Sequence, residues 1–274
     1  MNLDAYLARI GLDRRPPATL EGLKTLHRAH LLAIPYENID VQLGRRVTTA
    51  IAPTYAKIVE RGRGGWCYEM NGIFGWALGE LGFEVTRATG AVFRTVKGKA
   101  AHGNHLVLRV ALPEGLYLAD VGFGDGPRDP IPVCVGALAS HGFHFSVSRA
   151  DEPWWRFTND PRGSAPNFDF DLAPADEALL AAQCDLLQTS PESPFVQNLV
   201  AQRHLPDGIA ILRGRTLRRL APTRTTDRDI ESAEDLVATL RGVFGLDVPD
   251  VAELWPRIVA RHDALIAQRA VASR

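Results

Sequence analysis

Arg63-Gly64-Gly65-Trp66-Cys67-Tyr68-Glu69-Met70-Asn71 reads as a glycine turn running into a helix. Beyond it, Cys67, Met70, Phe74, Ala77 and Leu81 fall three and four apart, so they line one helical face, and Gly82 follows as a stop residue. Upstream, Leu20, Leu23, Leu26, His27, His30, Leu31 and Ile34 keep the same period. Thr19 is placed to cap that helix and Pro35 to end it. Tyr55, Ile58 and Val59 form a shorter stripe after Pro53, closed by Gly62. About 85 residues therefore read as helical. From Glu84 to about Trp155 the period drops to two, as in 107–110, 116–121 and 143–147, with frequent Gly and Pro turns. Residues 158–195, rich in Pro, Asp and Ser, read as irregular chain. A β-like stretch at 209–218 and two terminal helices complete the pattern. Ser232 and Asp235 resemble a capping box before Leu236, Leu240 and Val243, and Asp250 is expected to cap the last helix. Helices, then strands, then a mixture predict an α+β fold in two or three lobes.

Composition excludes several classes of function. The 274 residues carry 31 Lys and Arg against 32 Asp and Glu, so no electrostatic footprint for nucleic acid or anionic membrane is expected. With 46% hydrophobic residues the chain can bury an ordinary core. The opening Met1-Asn2-Leu3-Asp4-Ala5-Tyr6 lacks the basic and apolar blocks of a signal peptide, and no run of about 18 apolar residues occurs. The cysteines, Cys67, Cys134 and Cys184, are odd in number and widely spaced. That pattern is neither a disulfide framework nor a structural zinc site, and it predicts a reducing, cytoplasmic setting.

Cys67 opens its helix, where unpaired N–H groups and the positive end of the helix dipole favour a thiolate. Its place on the apolar stripe fits equally a buried structural thiol. Cys134, in a strand-like run between Val133 and Val135, and Cys184 lack a glycine turn and read as inert. A cysteine nucleophile needs a base, and the base needs an orienting partner. Residues 105–110 and 116–120 flank the turn-like Ala111-Leu112-Pro113-Glu114-Gly115. If Ala111 pairs with Leu116, His105 and Asp120 lie on one sheet face, two residues out of direct register. The histidines also form His27/His30, His102/His105 and His141/His144 pairs. On a helix His27 and His30 could share a face, but no Glu follows them as in a metalloprotease motif, and on a strand the two later pairs point to opposite faces, so no metal is expected. Gly122-Phe123-Gly124-Asp125-Gly126 lacks dinucleotide-binding spacing and reads as a tight turn whose N–H groups could also cradle an anion.

Taken together these segments resemble the arylamine N-acetyltransferase family over essentially the whole chain. Arg63 to Asn71 is similar to the family's RGGxCxExN motif, and Ile34-Pro35-Tyr36-Glu37-Asn38-Ile39 to its PFENL segment. His105, then Asp120-Val121-Gly122-Phe123-Gly124, follow in the family's order and spacing, and Ser193-Pro194-Phe195-Val196-Gln197-Asn198 is similar to a further family segment. The resemblance implies a helical bundle (1–85) carrying Cys67, a central antiparallel β-barrel (86–195) carrying His105 and Asp120, and an α/β lid (196–274). It implies ping-pong acetyl transfer from acetyl-CoA to an arylamine or hydrazine nitrogen through acetyl-Cys67, with no metal. The partners implied are small molecules, and the protein is expected to be a monomer or homodimer. Gly103, Val121, Gly122, Phe123 and Gly124 match positions near CoA, Tyr36 and Phe123 match the acceptor pocket, and Arg63 with Glu37 matches a pair bracing the cysteine turn. Tyr36 and His102 depart from the usual pattern. A thiol amidase or transglutaminase-like hydrolase is the alternative use of the same triad.

Overall fold

In the computed structural model, which describes residues 1–272, the chain opens with α1 (Leu3–Arg9) and α2 (Leu20–Ala33). As the sequence predicts, Thr19 caps α2 by accepting from the Gly22 N–H. A two-residue strand β1 (Tyr36–Glu37) and the turn α3 (Ile39–Gln42) follow. Next come α4 (Ile51–Tyr55), which continues as a π-turn to Glu60, and α5 (Cys67–Glu80). The second stripe thus begins before Pro53 rather than after it. A proline is tolerated in a first helical turn because those N–H groups lack intrahelical partners anyway. Gly82 follows α5 at φ +84°, as its stop role requires.

Eight strands then build one antiparallel sheet. They are β2 (Glu84–Val92), β3 (His105–Leu112), β4 (Gly115–Leu118), β5 (Ile131–Pro132), β6 (Gly136–Ser140), β7 (Phe143–Arg149), β8 (Trp155–Thr158) and β9 (Asn167–Pro174). The short helix α6 (Arg94–Lys97) lies between β2 and β3. The strand order is β5-β4-β3-β2-β9-β8-β7-β6, and β5 and β6 are not paired with each other. The expected barrel is therefore a curled half-barrel with two open edges. The 105–120 hairpin pairs Ala111 with Leu116 and Arg109 with Leu118, which meets the condition for His105 and Asp120 to share a face.

The stretch 158–195 is not irregular. It holds β9 and the helix α7 (Glu177–Thr189), capped by Asp176. In β9, Phe168 and Phe170 are buried, and the flanking Asp and Pro residues hid that element from a composition reading. The C-terminal part is also richer in strands than expected. After the turn α8 (Pro194–Gln197) come β10 (Val200–Leu205), β11 (Gly208–Arg213), β12 (Thr216–Leu220) and β13 (Thr225–Asp229). They form a second antiparallel sheet, with β1 from the N-terminal part as its edge strand. Its central strand β11 is buried on both sides, whereas the edge strand β13 is exposed. Ile209, Ile211 and Leu220 pack with the aromatics of the half-barrel, while Ala210, Leu212 and Leu217 pack with the C-terminal helices α9 (Ala233–Thr239) and α10 (Trp255–Ala272). Asp250 does not cap α10. It sits in the 3₁₀ turn before that helix and pairs with Arg45. No helix among the described residues is long and apolar enough to cross a membrane.

Candidate active site

The turn before α5 is held by close backbone packing. A Cβ on Gly64 would lie 2.0 Å from the Pro35 carbonyl oxygen, and one on Gly65 2.7 Å from Glu69 Cβ. Both glycines are thus set by approach to neighbours. Glu37 donates its N–H to the Gly65 carbonyl at 2.9 Å, tying the turn to β1. Glu69 reaches back one turn to accept the Trp66 N–H at 3.2 Å, which fixes where α5 starts.

Beneath this turn lies a buried charge cluster of which the sequence reading contained only one pair. Arg63 contacts Glu37 at 2.8 Å, as the resemblance implied, and also Asp40 at 3.2 Å. Lys57 joins Glu69 at 2.9 Å, Asp40 at 3.0 Å and Glu37 at 3.8 Å. Burial disfavours the Lys57 ammonium, but the three carboxylates outweigh it and hold Lys57 charged. Burial pushes Glu69 up to about 7 despite Lys57 beside it. Nothing in the stripe Tyr55, Ile58 and Val59 marks Lys57 as buried, because its partners come from three other segments. Replacing Lys57 by methionine strands carboxylates without their ammonium. The variant is expected to lose about 3–5 kcal/mol of unfolding free energy by urea titration; a loss below 1 kcal/mol would remove Lys57 from the support of the turn.

Cys67 begins α5, His105 begins β3, and Asp120 stands two residues past the end of β4. The three converge. His105 Nε2 lies 2.7 Å from Asp120 Oδ2, and the imidazole lines the same cavity as the Cys67 thiol. With Nε2 engaged by the carboxylate, Nδ1 is the nitrogen left for sulfur. Asp120 Oδ1 accepts from Asn71 Nδ2 at 2.7 Å and from the Gly122 N–H at 2.8 Å. Asn71 Nδ2 also donates to the Leu106 carbonyl, and Asn71 Oδ1 accepts the Val121 N–H at 2.9 Å, so the amide can point only one way. The sequence reading gives Asn71 no role beyond its place in the motif. Its position four residues after Cys67, on the same helical face, was the available sign.

Burial works against a charge on His105, yet Asp120 and its hydrogen bond win and push the imidazole up to about 10. Asp120, also buried, is held below the usual carboxylate range mainly by His105. The sign of the resulting pH dependence follows. The folded state keeps a His105 proton that the unfolded chain releases near 6.5, so this stabilisation is complete below pH 6.5 and is lost towards pH 10. Unfolding free energy is expected to fall across that window, with a slope approaching about 1.4 kcal/mol per pH unit from this group. The slope should flatten in Asp120→Asn; equal slopes in the two proteins would contradict the assignment.

Cys67 and His105 open onto a cavity of about 1000 Å³, counted out to its mouth, with Tyr36, Phe123, Phe195 and Gln202 among its walls. Burial keeps the Tyr36 phenol protonated. His105 packs against Phe123 and Phe168, with ring centroids 5.8 and 5.0 Å apart. Of the glycine-loop residues, Gly122 and Phe123 face the cavity. Val121 is buried in the helical core, Gly124 is covered by Gln202, and Gly103 packs under Leu179 of α7. His102 rests on Trp154. Cys184 is buried in α7, with burial pushing its thiol up, and Cys134 is exposed in the loop between β5 and β6 rather than in a strand. His27 and His30 are buried on Phe74, their Nδ1 atoms at the Arg128 carbonyl and the Tyr6 hydroxyl. Among the described residues no group of three or more His, Cys, Asp or Glu side chains is arranged to hold a metal.

Comparison with known proteins gives a consistent result. The sequence model of the N-acetyltransferase family matches residues 19–253. An arylamine N-acetyltransferase of Mycolicibacterium smegmatis is 35% identical, the match covering 92% of this chain and 94% of that protein. Human arylamine N-acetyltransferase 1 is 30% identical over 96% of this chain and 98% of its own. The solved structure of the Mycobacterium marinum enzyme in complex with CoA superposes with a TM-score of 0.84 at 31% identity, covering 95% of this chain and 98% of that one. The chain belongs to the arylamine N-acetyltransferase family.

Proposed function

We propose that the protein transfers an acetyl group from acetyl-CoA to the nitrogen of an arylamine, arylhydrazine or hydrazide by a ping-pong route through acetyl-Cys67. The observation that carries this reading is the buried Cys67–His105–Asp120 chain, whose thiol and imidazole alone face the cavity while the carboxylate sits behind. A protonated imidazole beside Cys67 is the counter-ion a thiolate needs. Cys67 Sγ attacks the thioester carbonyl carbon, the bond from that carbon to the CoA sulfur breaks, and CoA leaves with the His105 proton. The amine nitrogen then attacks the acetyl carbon. Its proton passes to His105, and the bond from carbon to Cys67 Sγ breaks to restore the ion pair. An aromatic amine suits this route because it is weakly basic and therefore neutral near pH 7.

In this reading residues 1–85 supply the thiol, 86–195 the imidazole and carboxylate, and 196–274 act as a lid that completes the cavity wall through Val200, Gln202 and Ile211. Tyr36 and Phe123 meet the acceptor ring, and the backbone at Gly122 and Phe123 meets the donor. The test is intact-protein mass spectrometry after brief exposure to acetyl-CoA without amine, followed by peptide mapping. One acetyl group on Cys67, discharged by an added arylamine or hydrazine, is the expected result. No acetyl on a reduced Cys67, or discharge to water at the same rate as to amine, would overturn it. Peptide mapping matters because Cys134 is exposed.

A further inference from the structure

Acetyl-CoA carries its thioester at one end of a pantetheine arm and its pyrophosphate and 3′-phosphate at the other. With the thioester at the buried Cys67, the phosphates reach the mouth of the cavity. The glycine loop is a poor phosphate cradle in this chain, because its glycines are needed for packing. A Cβ on Gly122 would meet Cys67 Cα at 2.9 Å, and one on Gly124 would lie 1.8 Å from Gln202 Oε1. Among the described residues no Asp or Glu lines the cavity, and apart from His105 beside the thiol its cations are Lys97, at the end of α6, and Arg213, at the end of β11. Both are exposed.

Arg213 is well placed. Along β11, Ile211 and Arg213 face the cavity while Ala210 and Leu212 face the C-terminal helices. Their cross-strand partners on β10, Gln202 and Val200, line the same wall. Buried Gln202 beside Ile211 and half-buried Val200 beside Arg213 set the inner and outer rungs of that wall. Neighbouring guanidiniums are already engaged, Arg218 by Asp227, Arg162 by Asp160, and Arg94 by Asp151 and Asp169. Arg213 and Lys97 have no carboxylate within 4.0 Å among the described residues, so their charge is available. An arginine fork on a rigid strand suits bidentate phosphate recognition, and a lysine on a short exposed helix supplies a second charge.

We propose that Arg213, assisted by Lys97, anchors the phosphates of acetyl-CoA at the cavity mouth and makes the enzyme selective for the nucleotide end of its acyl donor. This inference rests on the acetyl-transfer reading above. It is tested by comparing kcat/KM for acetyl-CoA with that for S-acetylpantetheine, which offers the same thioester without phosphates, using one arylamine. The ratio of the two values is expected to fall roughly 10–100-fold in Arg213→Ala. It should fall further in Arg213→Glu and recover largely in Arg213→Lys, through higher KM for acetyl-CoA rather than lower kcat. Arg213→Lys also keeps the test valid should the alanine variant fold poorly. A ratio unchanged within twofold in the alanine and glutamate variants would overturn the phosphate anchor. So would an unsubstituted enzyme that uses both donors equally, and in either case acetyl transfer itself would stand. If neither donor acetylates Cys67, the acetyl-transfer reading falls and this inference with it.

Discussion

Cys67→Ala is expected to reduce acetyl transfer by at least about 10⁴-fold, to the limit of detection, while the protein stays folded. No other thiol can take over. Cys184 is buried in α7 with its thiol pushed up by burial, and Cys134 lies in an exposed loop away from the cavity wall. The structural cost is small because the thiol is only one atom larger than the methyl left behind, and its backbone contact, to the Asn104 carbonyl, is long at 4.0 Å. Roughly 1 kcal/mol of stability is at stake. The measurement pairs steady-state turnover with thermal unfolding. Retained turnover would sink the nucleophile assignment, whereas loss of activity with loss of fold would leave a structural thiol as the better account.

Asp120→Asn is expected to lower turnover by about 10³–10⁴-fold with little change in fold. The reason lies in the partners of Oδ1. Asn71 Nδ2 and the Gly122 N–H both donate to that atom, and the Val121 N–H prevents Asn71 from flipping to become an acceptor there. An asparagine at 120 must keep its carbonyl oxygen at Oδ1 and so present its NH₂ group to His105 Nε2. The imidazole is then driven to accept at Nε2 and carry its proton on Nδ1, towards Cys67. In that tautomer it cannot receive the thiol proton. The imidazolium also loses the charge that pushes it up to about 10. Iodoacetamide alkylation of Cys67, followed by peptide mapping at several pH values, reads the defect directly. Alkylation should slow most at neutral pH; wild-type turnover or an unchanged alkylation profile would remove Asp120 from the mechanism.

The hairpin between His105 and Asp120 was legible in part because alternation in a two-sided strand favours one parity of register, and the observed pairing of Ala111 with Leu116 has that parity. The start of α5 was legible for the same kind of reason, since a glycine turn and a three-four apolar spacing are local features. Residues 158–195 were misread because Phe168 and Phe170 are separated and flanked by Asp in β9, so the apolar face is short and the composition polar. In the C-terminal sheet β11 is buried on both faces, which removes the alternation that marks a half-exposed strand, and β13 is exposed throughout and carries no apolar face to read.

By itself, then, the sequence determined the helical start at Cys67, the strand pairing that puts His105 and Asp120 on one face, and the family, all of which follow from local period or motif. Only the tertiary structure decided which nitrogen of His105 meets the carboxylate, that Asn71 locks that carboxylate, and that Lys57 sits among three acids beneath the turn. It also decided that Arg213 lines the cavity with no carboxylate beside it among the described residues. Each of these depends on side chains from segments far apart in the chain meeting at hydrogen-bond distance. Residue spacing cannot encode such a meeting, because it is set by how whole elements pack.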